Sequence, residues 1–205
     1  MVHEHFMGRK PSHFLAVDPI VKAYIVSEMF CWAAWNFIFP LFAVFVVGQI
    51  NKGTIELAAT GFSAYLISRI IFELLSGTFF AKRAEKQKIA ILLIGITIIS
   101  LSYLGFAASK DIVHIFFFYI LFGAGIGIAA PVKCSLFSMH LDKNKEATEW
   151  SVADAASAMA MALASALAGF VVVLYGFRVL FVMAAILNIL STVPYMLTLK
   201  KQRNN

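Results

Sequence analysis

Polar and apolar positions along this chain do not alternate on a short period. They fall into long apolar blocks separated by brief polar clusters. A block must run to about 20 residues to cross a bilayer as a helix, at a rise of about 1.5 Å per residue. Six reach that length, at residues 19–50, 55–81, 88–109, 112–140, 147–175 and 177–199. Helix-start chemistry agrees with these cuts: Asp18-Pro19, Gly53-Thr54 and Asp111 place an N-cap residue before the first, second and fourth blocks, with Pro19 at the first helical position. The fifth block, SVADAASAMAMALASALAGFVVVLY, alternates Ala with Met, Leu and Ser much as a strand would. An open strand would leave its backbone groups unpaired in lipid, however, and nine of the sixteen residues from Ala153 to Ala168 are alanine, the best helix former. The expectation is an all-α membrane protein without strands, in which a six-helix transmembrane bundle (19–199) lies between cytoplasmic tails at 1–18 and 200–205.

Composition supports this reading, since 61% of the 205 residues are hydrophobic and 14% charged, against about 45–50% apolar in soluble domains. The opening segment, MVHEHFMGRKPSH, is too polar for the apolar region of a secretory signal and reads as a cytoplasmic tail. Cys31 and Cys134 both fall inside blocks, so no disulfide or metal framework is expected, and no cofactor is implied. A net charge of +6 could suggest nucleic acid, but the basic residues sit beside membrane spans, where they set orientation instead. Twelve of the 17 Lys and Arg lie on the side shared by both termini, in the tails and in the second-to-third and fourth-to-fifth loops. Lys52, Lys110 and Arg178 lie on the other side, and Arg69 and Lys133 lie within spans. This bias places both termini in the cytoplasm of a multi-pass plasma-membrane protein. It also inserts every copy the same way up, so any homodimer is parallel.

The ionisable residues inside spans are Glu28, Arg69, Glu73, Lys133 and Asp154; the third and sixth spans have none. Counted from the cytoplasmic helix ends, four of them lie at a depth of roughly 10–14 Å and Arg69 at about 20 Å. Helical spacing puts Glu28 on a face with Trp32, Trp35 and nearby Asn36, Arg69 and Glu73 on a face with Tyr65, and Lys133 in line with Tyr119. Spans one, two, four and five are therefore expected to enclose a polar, aromatic-walled interior, while spans three and six flank it or face lipid. Interhelical ion pairing would explain the same charges without any pathway. Three acids against two bases still leave one carboxylate, Glu28 or Asp154, without an obvious partner and able to carry a proton. Gly123 and Gly127 form a small-xxx-small step that permits close helix packing. Pro40 and Pro131, 91 residues apart, and Gly77 and Gly169, 92 apart, mark matched positions in the two halves, as in a three-plus-three inverted repeat.

The loop after span two, Gly77-Thr78-Phe79-Phe80-Ala81-Lys82-Arg83-Ala84-Glu85-Lys86, resembles the GxLaDRxGRK signature of the major facilitator superfamily, with Ala81 for its Asp and Ala84 for its second Gly. Tyr119 to Gly125 is similar to that family's RxxQGxG step with tyrosine for the arginine, and AGIGIAAP with Glu149-Trp150-Ser151 looks like the matching region of its carboxyl-terminal halves. The resemblance covers essentially all the spans and implies one six-helix half of such a transporter. It further implies a solute pathway between two bundles, completed here by a second, parallel copy, with small solutes, protons and the lipid bilayer as partners. The expected pathway residues are Glu28, Trp32, Trp35, Asn36, Tyr65, Arg69, Glu73, Tyr119, Lys133 and Asp154. Pro40, Gly123, Gly127 and Pro131 are the expected breaks and packing points. No hydrolase, redox or P-loop motif argues for an enzyme or for ATP drive. The rival reading is a non-transporting membrane subunit, or half of a split transporter that needs a different partner.

Overall fold

The computed structural model describes residues 18–80 and 82–204. Within them the chain is helical throughout, in the order α1 (Pro19–Ile38), a 3-10 turn (Phe39–Leu41), α2 (Phe42–Gln49), α3 (Ile55–Phe80), α4 (Glu85–Ala108), α5 (Ile112–Met139), α6 (Glu146–Leu190) and α7 (Val193–Asn204). No strand occurs among the described residues; a single isolated bridge joins Asn51 to Asp111. Residues 1–17 of the tail expected at 1–18, Asn205 of the tail expected at 200–205 and the Ala81 position of the loop motif lie outside the described residues.

Five segments are long and apolar enough to cross a membrane: Pro19–Gln49, Ile55–Phe80, Glu85–Ala108, Ile112–Met139 and Glu146–Lys200. The last, at 55 residues, would run to about 80 Å if straight, far beyond a hydrocarbon core of about 30 Å. Its backbone leaves the helical region at Gly176 (φ 80°, ψ 171°), a left-handed conformation that glycine adopts without a Cβ penalty. The chain doubles back there, because Asp154 and Asn188 border the same cavity. A second interruption, at Ser191–Thr192, separates α6 from α7 within what reads in the sequence as one span. Pro194 lacks the N–H that a continuous helix needs. The hydroxyls of Ser191 and Thr192 donate to the carbonyls of Asn188 (2.6 Å) and Ile189 (2.7 Å) left at the α6 terminus.

The start signals behave unevenly. The Asp18 carboxylate accepts from the Ile20 N–H at 2.7 Å and caps α1, and the Thr54 hydroxyl accepts from the Leu57 N–H at 3.3 Å. Asp111 does not cap α5; its carboxylate accepts instead from Asn51 Nδ2 at 3.2 Å, tying two loops together at one end of the bundle. At the opposite end His140 Nε2 lies 3.4 Å from Glu85 Oε2 and joins the end of α5 to the start of α4. The two prolines also differ. Pro40 sits in the 3-10 turn that interrupts the first span, whereas α5 continues through Pro131. Discontinuities matched between the halves are therefore not seen at this pair of positions.

The backbones of α3 and α5 pack close together. A Cβ on Gly123 would lie 2.4 Å from the Tyr65 carbonyl oxygen, and one on Gly127 would lie 2.7 Å from that of Arg69. Only glycine lets the two backbones approach so far. Ser68 and Ser76 of α3 then donate to the α5 carbonyls of Ile120 (2.7 Å) and Ile128 (2.9 Å), hydrogen bonds that have no water to compete with them in lipid. The expectation that the third span only flanks the bundle or faces lipid is corrected. Ile89, Leu92, Ile96, Tyr103 and Phe106 of α4 are all buried, and the helix packs against both α5 and α6. A span without charge at mid-length can be core, because an apolar side chain gains packing contacts against other helices that mobile lipid does not supply.

Candidate functional site

A cavity of about 570 Å³ opens between α1, α3, α4, α5 and both limbs of α6. Nine of its 24 lining residues are aromatic. Trp35 is the centre of this wall, stacked on Phe39 and on Phe122 with centroids 5.2 Å away in each case, and 5.7 Å from Tyr65. Stacking of this kind holds the rings in place.

Seven of the ten residues expected along a pathway border this space: Glu28, Trp32 and Trp35 from α1, Tyr65 and Arg69 from α3, Lys133 from α5 and Asp154 from α6. Glu28 and Lys133 form an ion pair between α1 and α5, both side chains largely buried at 11% and 15% exposure. The second carboxylate oxygen of Glu28 accepts from Trp32 Nε1 at 3.0 Å, so this acid is fully engaged. Arg69 Nε donates to Glu73 Oε2 at 3.0 Å in a pair that is 39% exposed at both ends, with the Tyr65 hydroxyl 3.5 Å from the guanidinium. Glu73 does not border the cavity. Asp154 is exposed, and among the described residues it has no hydrogen-bond or ion-pair partner.

Besides Glu73, two expected residues lie away from the cavity. The Asn36 amide turns back to donate to the Trp32 carbonyl at 3.0 Å within its own helix. Tyr119 is buried in the core beneath the cavity, its ring 4.8 Å from Phe42 and 5.2 Å from Phe106. Four of the five charges within the spans, Glu28, Arg69, Lys133 and Asp154, thus border one cavity, with Glu73 just outside it. They separate into one buried pair, one half-exposed pair and one unpartnered carboxylate, because Arg69 and Glu73, one helical turn apart, satisfy each other on α3 before either can reach across.

Several lining residues were not anticipated. Tyr103 and Asn188 come from the spans without charge; Asn188 is buried and donates to the Ile96 carbonyl (3.0 Å) and the Ser100 hydroxyl (2.8 Å), tying α6 to α4. A lone amide within the apolar run VMAAILNIL was the available signal. Trp150 also borders the cavity, edge-on to Phe137 at 4.7 Å. Lys88, read as a loop residue, is only 3% exposed, with Nζ donating to Ser135 Oγ at 2.8 Å and lying 3.4 Å from Met139 Sδ. In the loop after α5, the hydrogen bond from Lys145 Nζ to the Asp142 carboxylate (2.8 Å) holds that amine above the usual lysine range.

Several apolar helices surround a ligand-sized cavity that carries charge within the span of the helices, and these features together define a polytopic membrane protein built to admit a solute. The chain belongs to the major facilitator superfamily: the family model matches residues 24–205. Members of that family are transporters, and a transporter-type function follows for this chain in general terms. Among curated proteins, none matches it.

Proposed function

We propose that the chain moves a small solute across the plasma membrane by alternating access, as a secondary or facilitative transporter. It acts as a parallel homodimer with the pathway between two bundles. The observation that carries this reading is where the unburied charge lies. Arg69, Glu73 and Asp154 sit roughly 10–17 Å from the nearest ends of their helices, well inside the thickness of a bilayer. Arg69 and Glu73 are 39% exposed and Asp154 is also exposed, with Trp32 and Trp150 at 40% beside the cavity. A charge facing hydrocarbon at that depth costs about 2.5–3.5 kcal/mol on insertion scales. A second bundle across the cavity mouth removes that cost and encloses the space. The strong basic bias of one side makes that second copy parallel, with both termini cytoplasmic. Doubling of the last segment at Gly176 then supplies a sixth crossing.

In this account Glu28, Trp32, Trp35, Tyr65, Arg69, Lys133 and Asp154 contact the pathway, Glu73 holds Arg69, and Asn36 and Tyr119 support the wall from behind. Uptake in proteoliposomes tests the reading. Purified protein is expected to give flux of a small solute above empty vesicles, with Trp35→Ala reducing it at least tenfold. No flux for any solute from a folded, dimeric preparation would favour the non-transporting subunit instead.

A further inference from the structure

The ionisable side chains around the cavity do not balance. Lys133 neutralises Glu28, and Arg69 is neutralised by Glu73 just outside the lining. Asp154 remains, exposed to the cavity, with no partner among the described residues. Each bundle therefore brings one uncompensated negative charge to a space walled by rings. Trp150 lies one helical turn before Asp154 on α6, so a ring face and the free carboxylate stand side by side on one helix surface. On the neighbouring helix α1, Trp32 has its indole N–H committed to Glu28, which leaves its face rather than that edge for a ligand.

We propose that the cavity of each bundle takes one monovalent, amphipathic organic cation, with Asp154 as its counter-charge and Trp32 and Trp150 as the rings that receive it, Trp35 being held between Phe39 and Phe122 in the wall behind. The inference rests on the transporter reading and names its substrate class. An anion would meet an unscreened carboxylate, and a neutral solute would strip water from that carboxylate without replacing its lost solvation. A cation compensates it, and its diffuse charge is attracted to the faces of tryptophan and tyrosine. The volume of about 570 Å³ lies within the range of pockets that hold drug-sized ligands.

The test is equilibrium binding of radiolabelled tetraphenylphosphonium to the purified full chain, with tetraphenylborate as the competitor of equal shape and opposite charge. Unlabelled tetraphenylphosphonium is expected to displace the label at least tenfold more effectively than tetraphenylborate. Asp154→Asn is expected to weaken binding about tenfold or more and Asp154→Glu to retain it, while Trp150→Leu weakens it roughly three- to tenfold. Asp154 has no partner to lose, so both carboxylate variants should melt like the parent, and the competition arm needs no variant at all. Equal displacement by the two ions, or unchanged binding by Asp154→Asn, would overturn the proposal. Asp154-dependent binding without any uptake in proteoliposomes would support this site and count against the transporter reading. Flux of an uncharged solute without cation binding would do the reverse.

Discussion

Lys133→Met removes one side of the buried pair that joins α1 to α5. The carboxylate of Glu28 would then lie at 11% side-chain exposure with no cation facing it. Breaking such a pair costs about 3–5 kcal/mol in proteins. Trp32 Nε1 remains bonded to Glu28 Oε2 at 3.0 Å, and one retained charge-assisted hydrogen bond offsets roughly 1–2 kcal/mol of that. The expected loss is about 2–3 kcal/mol, or roughly 5–10 °C in melting temperature at the 2–4 °C per kcal/mol typical of chains this size. The double variant Lys133→Met/Glu28→Gln leaves no buried charge and should recover most of the loss, to within about 1 kcal/mol of the parent. Thermal unfolding in detergent, followed by the recovery of monodisperse protein after heating, reads all three. The reasoning is refuted if Lys133→Met melts with the parent, or if the double variant is no more stable than the worse of its two singles.

Four further changes probe other parts of the packing by the same melt. Gly123→Ala forces a methyl to within 2.4 Å of the Tyr65 carbonyl oxygen and should cost about 2–3 kcal/mol, whereas Gly169→Ala, with nothing within 4 Å, should be neutral or stabilising by up to about 1 kcal/mol. Asn188→Leu withdraws two donors from the α4–α6 contact, the bonds to the Ile96 carbonyl and the Ser100 hydroxyl, and should lower stability by about 1–2 kcal/mol. Lys88→Met replaces a cation 3% exposed in the first turn of α4 with an apolar chain of similar length. It should raise the melting temperature by a few degrees, because a helix N-terminus repels positive charge and the amine has only a hydroxyl and a thioether to meet.

Much of the helical plan is legible from the apolar blocks, because lipid forbids unpaired backbone and leaves a run of that length little choice but helix. The break at Gly176 could be read from the junction of two blocks, and the α1 and α3 caps from Asp18 and Thr54. Depth counting also brought Glu28 opposite Lys133, since both distances run from helix ends at the same side of the bundle. What depth could not supply was rotation about each helix axis. Glu73 shares a depth with the buried pair but turns toward Arg69, one helical turn deeper, and Asp154 turns to the open mouth. Charge also misled about α4. A helix whose charges lie only at its end can serve as core, and Tyr103 and Asn188 reach the cavity from spans with no charge at mid-length to mark them. Asp111 shows a third kind of failure: a residue suited to capping was drawn away by Asn51, a partner distant in sequence.

The central claim is that the cavity-bearing face meets the same face of a second, like-oriented copy. Single cysteines offer the most direct measurement, placed at Leu66 or retained at Cys134 on the cavity side, and introduced at Leu101 on the outer side of α4, with Cys31 and the unused Cys134 changed to serine. A short membrane-permeant bis-maleimide applied to intact membranes should link copies through Leu66→Cys and through Cys134, and should leave Leu101→Cys monomeric. Linkage through Leu101→Cys with none at Leu66→Cys or Cys134 would contradict the account.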